Sequence, residues 1–580
     1  MKGRIRTGSD LIVARLEELG AKCIFGMPGT QNVRLYESLR KSELRTVVNT
    51  SELASSFMAN GYARASGEVG VLTTIPGPGF AFSIPGIAEA FLDSAPLLWI
   101  VETPASRAGK RFAQQAIDQA AIAGSITKKI IEVADVSELA GGVAEAYQTA
   151  KSGEPGPVLL HVEGALLGAE YEGELPPINP VVGGSPSTLI SPDFAVVEQA
   201  WKILAAAERP VVFAGQGSSG ASDLLQKIVQ LRKVPVIATR SARGVLPEDD
   251  PLSLVFSFDN RAVAMCNELL DRSDAILALG VKFTHNGTAG FRLRMPREKL
   301  IHVDACAKNL NGNYPARLPI QMDVSLFLTA LASIAEKANQ PNTAWQAEEL
   351  ARWREFGRAT DSPDTPEPAI SSSSGTSRTF FRTLRNAMPR ESCLVTDSGQ
   401  HQILATRHTK VQVPRGLLIP TDFQSMGFGI PAAIGAKLAM PERCVVAIIG
   451  DGGLAMMAME LGTAVREGIQ LLVVVFNDGA LGQIRAQQLG DYGQAFATEL
   501  GAINIAAIAD GLNCNYVALA ENDEEDLRRA ITAPGVTIVD LPVRDSKVQR
   551  TRQVKAYVRK TGRDLLPSAF RKWLTRKLKS

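Results

Sequence analysis

Two short polar motifs in the last third of the chain have the residue types of a site for a metal ion and phosphate. The sequence GDGG at 450–453 follows one apolar run, and NDG at 477–479 follows the next, with a helical segment between them. Because a right-handed crossover makes such strands parallel and usually neighbours, the side chains of Asp451 and Asn477 should face one crevice. Carboxylate and amide oxygens suit Mg²⁺, and glycines let backbone N–H groups approach an anion at a helix N-terminus. The two motifs together predict a metal-bridged diphosphate.

The elements that must position these motifs are strands that alternate with helices along most of the chain. β-rich runs closed by glycine or proline, such as VGVLTTIPGPG, PVVFAG and RCVVAIIGDG, are followed by helical patterns. Such alternation predicts parallel sheets wound in βαβ units. The first helix is expected to be capped by Ser9-Asp10 and to stop at Gly20. Polar linkers divide the chain, so we expect three Rossmann-like, doubly wound α/β domains. Their expected bounds are 1–175, 193–335 and 379–545, followed by a basic C-terminal extension at 546–580.

Composition excludes several classes of protein. The 580 residues are 45% hydrophobic and 21% charged, which supplies several cores and argues against disorder. No apolar run reaches the ~18 residues of a membrane span, and the N-terminus does not have the pattern of a signal peptide. The six cysteines form no CxxC pair, so neither a disulfide framework nor a thiolate zinc site is indicated. We therefore expect a reduced, cytoplasmic protein.

The sequence also resembles a known family, the thiamine-diphosphate enzymes, in its GDG and NDG motifs. Four further segments look very like acetohydroxyacid (acetolactate) synthase catalytic subunits: SELASSFMANGYARASG (51–67), TDSGQHQ (396–402), SMGFGIPAAIGAKLA (425–439) and LGQIRAQQ (481–488). The resemblance covers nearly the whole chain and implies a pyrimidine-binding, a middle and a diphosphate-binding domain, in that order. It implies thiamine diphosphate and Mg²⁺ as cofactors. Since the pyrimidine domain of one subunit meets the diphosphate domain of another in this family, it also implies at least a homodimer, with a homotetramer expected.

The resemblance assigns residues to the cofactor site by position. The metal ligands would be Asp451, Asn477 and the backbone carbonyl of Gly479, with diphosphate oxygens and water completing the shell. Met426 would support the bent cofactor, although core packing is an equally compatible interpretation, and residues 400–401 would lie near the diphosphate. The expected cofactor-binding residues are Gln400, His401, Met426, Gly450, Asp451, Gly452, Gly453, Asn477 and Gly479.

Glu52 is the candidate catalytic residue. It lies between the apolar run TVVN and an amphipathic helix. By resemblance, its carboxylate would bond the aminopyrimidine N1′ and favour the tautomer whose nitrogen removes the thiazolium C2 proton. An apolar pocket would strengthen that bond and raise the carboxyl pKa. Taken alone, an acidic residue at a helix start has an ordinary structural interpretation.

Several positions depart from the synthase pattern. Ser51 stands where the family usually has histidine, and Asn286 stands where an arginine would hold the carboxylate of the acceptor. Loss of a bidentate guanidinium removes a contact of roughly 1.5–3 kcal/mol, which is enough to change acceptor preference. The substrate pocket is expected to be more polar than that of an acetolactate synthase, with the candidate lining residues Gln31, Gln115, Gln483 and Gln487. We therefore expect a donor or acceptor other than two pyruvates.

The reaction implied by the resemblance is decarboxylation of a 2-oxo acid and transfer of the remaining unit to an acceptor carbonyl. The alternative is a decarboxylase that releases an aldehyde, because the acceptor arginine is missing. The absence of a histidine pair of the kind that pyruvate decarboxylases use counts against it. A non-catalytic binding or regulatory homologue is a remote alternative, and the intact Glu52, Asp451 and Asn477 argue against it.

A second nucleotide site is the remaining question for the middle domain. GQGSSG at 215–220 follows an apolar run, but the next run ends in Ala238-Thr239-Arg240 without the acidic residue of an NAD fingerprint. NAD and a dehydrogenase reaction are therefore disfavoured. FAD, which acetohydroxyacid synthases hold, is possible, and a nucleotide-shaped domain without a ligand is the favoured interpretation.

The net charge of +2 conceals a difference between the body of the chain and its end. Residues 545–580 carry twelve basic and two acidic side chains, whereas the residues before them have a net charge of −8. A stripe formed by Phe570, Trp573, Leu574 and Leu578 gives the tail the pattern of a basic amphipathic helix. It could pack on its own acidic body, bind a partner, close over the active site or touch an anionic membrane. No nucleic-acid binding is predicted for the chain as a whole.

Overall fold

The computed structural model describes most of the chain in three parallel α/β sheets. The described residues are 5–104, 112–178, 194–255, 258, 260–338, 342–358, 369–370, 375–519 and 524–544. The basic tail at 546–580, with its apolar stripe, lies outside the described residues. Among the residues described, no helix is long and apolar enough to span a membrane.

The first sheet has six parallel strands in the order β2-β1-β3-β4-β6-β5. Its strands are β1 (Cys23–Gly26), β2 (Arg45–Val48), β3 (Gly70–Thr74), β4 (Leu97–Thr103), β5 (Lys129–Val133) and β6 (Pro157–Glu163). The helices around it are α1 (Gly8–Glu18), α2 (Val33–Arg40), α3 (Glu52–Ser66), α4 (Pro78–Leu92), α5 (Gln119–Ala123) and α6 (Leu139–Lys151). The central strands β3 and β4 are almost wholly buried, as expected for a parallel sheet covered by helices on both faces.

The second sheet also has six parallel strands, in the order β12-β11-β10-β7-β8-β9. Its strands are β7 (Pro210–Ala214), β8 (Val236–Ala238), β9 (Ser253–Val255), β10 (Ala275–Leu279), β11 (Leu300–Asp304) and β12 (Leu318–Gln321). The helices are α7 (Phe194–Ala206), α8 (Ser222–Arg232), α9 (Asn260–Arg272), α10 (Val324–Ala335) and α11 (Ala347–Arg358). It has its own apolar core, so it folds around a separate centre.

The third sheet joins six parallel strands to a short antiparallel pair at one edge, in the order β14-β13-β20-β18-β17-β15-β16, with β19 also paired to β20. Its strands are β13 (Ala369–Ile370), β14 (Gly375–Thr376), β15 (Cys393–Thr396), β16 (Leu417–Leu418), β17 (Val445–Gly450), β18 (Leu471–Asn477), β19 (Asn515–Ala518) and β20 (Val536–Arg544). The helices are α12 (Ser377–Ala387), α13 (Gln400–His408), α14 (Gly429–Ala439), α15 (Asp451–Met457), α16 (Glu460–Arg466), α17 (Gly482–Tyr492), α18 (Ile505–Gly511) and α19 (Glu524–Thr532). The predicted fold class of three parallel α/β sheets is confirmed.

The first helix begins two residues earlier than the Ser9-Asp10 cap that the sequence suggests. Thr7 is the N-cap, and Thr7 and Asp10 form a capping box in which each side chain accepts the other's backbone N–H. Ser9 instead donates its hydroxyl to the Leu167 carbonyl oxygen at 2.8 Å. The capping box satisfies two N–H groups at once, so it fixes the helix start better than a single cap. The glycine stop at Gly20 is present, with a φ of +81°.

The first and third sheets are joined by a close crossing of α3 and α14. A Cβ at Gly61 would overlap the Ala432 backbone, and one at Gly435 would overlap the Met58 carbonyl oxygen. The rings of Phe57 and Phe428 meet edge to face nearby, at 5.5 Å between centroids. Glycine at both crossing points therefore lets the two domains share one apolar core.

Candidate active site

Asp451 has a buried oxygen with no hydrogen-bond partner. It is the first residue of α15 and follows β17 directly. The Gly452 N–H donates to its Oδ1 at 3.0 Å, whereas among the described residues nothing bonds Oδ2. Burial raises the pKa of the carboxyl, while backbone N–H groups, including that of Gly479, and the nearby Arg485 act to lower it. A metal ion would supply the partner that this buried oxygen lacks, so the observation fits a metal site.

Asn477 and Gly479 lie at the end of the neighbouring strand. β17 and β18 pair in parallel, with Gly450 opposite Phe476, which confirms that the two motifs end adjacent strands. The Asn477 amide nitrogen donates to Asp540 Oδ1 at 3.1 Å, so this bond fixes the amide and leaves its oxygen for another partner. The Gly479 carbonyl already accepts the Leu500 N–H at 2.9 Å, and its second lone pair is what a metal would use.

The start of helix α13 lies against both motif loops. A Cβ at Gly450 would lie 3.2 Å from His401 Cε1, and a Cβ at Gly482 would lie 3.2 Å from Gln400 Oε1. Burial lowers the pKa of His401 to about 4, so the imidazole is neutral. Its Nε2 is buried and has no partner in the described part of the chain. His401 therefore presents one unpaired nitrogen beside the GDGG loop.

Asp397 organises the site and was not assigned a role from the sequence. It follows β15, is fully buried, and accepts the N–H groups of Ser398 at 2.7 Å and Gly427 at 3.0 Å. Burial raises the pKa of this carboxyl to about 7. A Cβ at Gly453 would overlap Asp397 Oδ2, so glycine is required there for the two loops to meet. The sequence feature that could have indicated a role for Asp397 is its position in TDSG, directly after a buried strand.

Met426 lies over the GDGG loop. Its side chain is 38% exposed, and its Cε would be 3.3 Å from a Cβ at Gly452. The loop that carries it is a tight one, because Gln424 has a φ of +63° and Gly427 a φ of +83°. These two left-handed residues project Met426 out of the core, which does not match the alternative of ordinary core packing.

Glu52 is the first residue of α3 and is half-buried. Ser51 is the N-cap of this helix, with its side chain accepting the Ala54 N–H at 3.4 Å. A Cβ at Gly79 would lie 2.8 Å from Glu52 Oε1, so the carboxylate packs against the start of α4. Burial, with Glu102 and Glu52 nearby, raises the pKa of the Tyr36 hydroxyl. Across the described residues, no hydrogen bond or ion pair engages the Glu52 carboxylate.

The four predicted pocket glutamines come from two domains. Gln115 lies against Gly77 at the start of α4, and its buried Oε1 has no partner among the residues described. Gln31 is half-buried in the first domain. Gln483 and Gln487 are exposed on α17, in the third domain.

Close backbone packing explains why glycines occur in the GQGSSG loop at 215–220 of the second domain. A Cβ at Gly217 would lie 2.9 Å from the Cα of Gly280, and one at Gly215 would overlap the Gly280 carbonyl. The loop therefore packs tightly against the residue that follows β10. An adjacent cavity of about 320 Å³ is lined by residues of all three domains, including Asn286. Asn286 donates to the Thr421 carbonyl oxygen at 2.5 Å, so it joins the second and third domains.

Two carboxylates that line this cavity are already bonded within their own loops. Asp304 accepts the Cys306 N–H at 2.8 Å and the Asn309 amide at 3.0 Å. Asp323 caps α10 by accepting the Ser325 N–H at 2.8 Å.

Comparison with known proteins matches this architecture domain by domain. Models of thiamine pyrophosphate enzymes match residues 6–122 (N-terminal TPP binding domain), 197–331 (central domain) and 397–541 (C-terminal TPP binding domain). The chain therefore belongs to the thiamine pyrophosphate enzyme family. The prediction of a thiamine-diphosphate-dependent enzyme that forms or breaks carbon–carbon bonds is confirmed.

Relatives of the chain are acetolactate synthase large subunits. It is 31% identical to the acetolactate synthase isozyme 1 large subunit of Escherichia coli, over 93% of this chain and 94% of that protein. It is 30% identical to the probable acetolactate synthase large subunit of Methanocaldococcus jannaschii, over 92% of both chains. It is 32% identical to the acetolactate synthase of Mycobacterium bovis, over 90% of this chain and 84% of that protein.

Proposed function

We propose that this protein decarboxylates a 2-oxo acid and transfers the remaining unit to an acceptor carbonyl, with thiamine diphosphate and Mg²⁺ as cofactors. The observation that carries the proposal is the buried, unpartnered Oδ2 of Asp451, beside the glycines of the same motif. A cation fits this oxygen, and the N-terminus of α15 fits phosphate. The full-length similarity to acetolactate synthases supports a ligating reaction.

The residues around this oxygen would hold the cofactor pair. Asp451, the Asn477 amide oxygen and the Gly479 carbonyl form the donor set for Mg²⁺, which prefers such hard oxygen ligands. Among the described residues, no three His, Cys, Asp or Glu side chains cluster as a metal site, so phosphate oxygens would have to complete the shell. Neutral His401 would donate or accept one hydrogen bond at the diphosphate. Bound thiamine diphosphate supplies a carbon nucleophile and a sink for the electron pair released with CO₂.

Glu52 would hold the proton that activates the cofactor. Its carboxylate is half-buried, unpaired in the described chain, and positioned at the end of a helix whose N-cap is Ser51. A carboxylic acid kept from bulk water can donate a hydrogen bond to a ring nitrogen and take the proton back. Its neighbours Tyr36 and Gly79 restrict where it can move.

The histidine positions favour ligation over aldehyde release. The chain has five histidines, and all of them are described. His401 is at the cofactor loops, His302 lies in β11, and His161 lies in β6, where it contacts Gln119. His408 lies in α13 with His401, and His285 lies between β10 and β11. No two of the five histidines are adjacent in the sequence, which supports ligation.

A second copy of the chain is proposed to complete the site. No hydrogen bond or ion pair between described residues links Glu52 with Asp451, Asn477 or His401, which supports placing the two halves of the site on different chains. Each of the two domains exposes a large apolar side chain: Phe82 of α4 is 62% exposed, and Phe496 beyond α17 is 83% exposed. A symmetric dimer would bury these side chains and bring the Glu52 of one chain to the Asp451 of the other.

Mixed variants test this arrangement. Glu52→Gln and Asp451→Asn homodimers should each be inactive. Refolding or co-expressing them together should restore about a quarter of the wild-type activity, because half the dimers then contain one intact site. No restoration, with hybrid dimers verified, would contradict a site shared between chains.

Product analysis tests the reaction itself. Purified protein with thiamine diphosphate, Mg²⁺ and ¹³C-labelled pyruvate is followed by NMR, and a panel of 2-oxo acids and aldehydes is then used in the same way. A carbon–carbon-linked product is expected, formed together with CO₂. An aldehyde as the sole product for every donor would instead establish the decarboxylase.

A further inference from the structure

The loop that presents Met426 is held from two sides by buried carboxyls of different domains. On the side of the third sheet, Asp397 accepts the Gly427 N–H at 3.0 Å. On the opposite side, Glu89 of α4 accepts the Ser425 N–H at 2.9 Å through its Oε2. Since Ser425 and Gly427 flank Met426, the two bonds fix the backbone on both sides of that residue.

Glu89 belongs to an interface in which α3 and α4 lie side by side. Near their N-termini, the Glu52 carboxylate lies against Gly79. Near their C-terminal ends, Arg64 and Asp93 form a buried ion pair at 2.6 Å. The two helices therefore run parallel along a shared face, with the candidate catalytic carboxylate at one end and the ion pair at the other.

Polar atoms without partners are concentrated one turn before this ion pair. Asn60 precedes Arg64 by four residues, and Glu89 precedes Asp93 by four, so both belong to the same layer of the interface. Both residues are 0% exposed. Among the described residues, both amide atoms of Asn60, Oε1 of Glu89 and Oγ of Ser425 have no hydrogen-bond partner. Arg64, the cation that faces this layer from α3, is already paired with Asp93, so an ionised Glu89 would be a buried charge without its own counter-ion.

Protonation of Glu89 at Oε1 removes this buried charge while Oε2 still accepts the Ser425 N–H. The charged groups that face it are Asp93 on its own helix and Arg64 on α3, and residues 424–427 carry no charge. Burial is the main cause that raises the pKa of Glu89, to about 8, and the nearby charge of Asp93 raises it further. The hydrogen bonds from Ser425 and the charge of Arg64 lower it by less.

We propose that Glu89 is a positioning residue of the cofactor site that, as a neutral carboxyl, ties the Met426 loop to the first domain. This inference rests on the proposed function, since Met426 is the residue expected to support thiamine diphosphate. Ionisation of Glu89 places a second negative charge near Asp93, with Arg64 as the shared counter-ion of both carboxylates. Cofactor affinity therefore depends on pH through a residue that touches neither the cofactor nor the metal.

The test is the affinity of the full-length protein for thiamine diphosphate with excess Mg²⁺, measured by calorimetry from about pH 6 to about pH 9. Wild-type affinity should fall about tenfold as the pH rises through 8. Glu89→Gln, whose amide donates and accepts like the neutral carboxyl, should keep the affinity seen at low pH and lose most of this fall. Glu89→Ala should bind about tenfold more weakly throughout the range. Thermal unfolding of the apoproteins verifies that both variants fold.

Three results would overturn this inference, and one of them would also overturn the proposed function. A Glu89→Gln profile that follows the wild-type profile overturns the inference, as does wild-type affinity in Glu89→Ala. In both cases the proposed function survives, because the cofactor still binds. Failure of the folded wild-type protein to bind thiamine diphosphate at any pH would overturn the proposed function and this inference with it.

Discussion

Gly453→Ala is expected to destabilise the protein although alanine is the better helix former. The position lies in the first turn of α15, where replacing glycine gains up to about 1 kcal/mol. The new methyl group, however, would overlap Asp397 Oδ2. Asp397 would have to move away from the Gly427 N–H, and a hydrogen bond to a charged group contributes about 1.5–3 kcal/mol. The net loss should be about 0.5–2 kcal/mol.

The assay is urea unfolding of the apoprotein, which separates this effect from any contact with the cofactor. Gly141→Ala is the matched control, because Gly141 lies in α6 with no atom within 4 Å of its Cβ position, and it should be neutral or slightly stabilising. The decisive variant is the double mutant with Asp397→Ala, in which the overlap disappears. In that background Gly453→Ala should stabilise, which is a non-additive result. Equal destabilisation in both backgrounds would refute the role given to Asp397.

Three further predictions follow from the site and the first sheet. Glu52→Gln should lower turnover by about 10²–10⁴-fold with cofactor affinity nearly unchanged, as steady-state kinetics and calorimetry would show; unchanged turnover would exclude Glu52 as the activating group. Asp451→Asn should weaken Mg²⁺-dependent cofactor binding at least about tenfold, and the wild-type protein treated with a chelator should behave in the same way; tight binding in either case would remove Asp451 from the metal site. Burial raises the pKa of Glu102 from 4.5 to about 8. Between pH 4.5 and about pH 8 the folded state therefore binds one more proton than the unfolded state, so the free energy of unfolding should fall as the pH rises through this range. Glu102→Gln should flatten that fall in chemical denaturation, and an unchanged slope would show that another group causes it.

The sequence alone was sufficient to predict which motifs end neighbouring strands of the third sheet. GDGG and NDG end consecutive strands joined by one helix, and chain handedness alone places such strands side by side, as β17 and β18 are. The start of α1 was placed two residues late because a capping box beginning at Thr7 prevails over the single cap expected at Ser9. The short pair β13 and β14 lies in a segment whose polar composition indicated a linker.

The residues that sequence reasoning missed act through contacts between distant parts of the chain. Asp397 is held by the backbone around Gly427, and Glu89 bonds Ser425, 336 positions away. No local pattern distinguishes these carboxylates from acidic residues on a helix surface or at a strand end. Their roles follow from burial and from which loop lies opposite, and both depend on how the first and third sheets pack.

The most direct test of the central claim needs no knowledge of the substrate. Exchange of the thiazolium C2 proton of thiamine diphosphate with deuterium is measured by quenched-flow NMR, in the presence of protein and Mg²⁺. The wild-type protein should accelerate this exchange by at least about 10²-fold over free cofactor, and Glu52→Gln should abolish most of the acceleration. Exchange at the rate of free cofactor in the wild-type complex, with the cofactor bound, would show that the protein does not activate its cofactor.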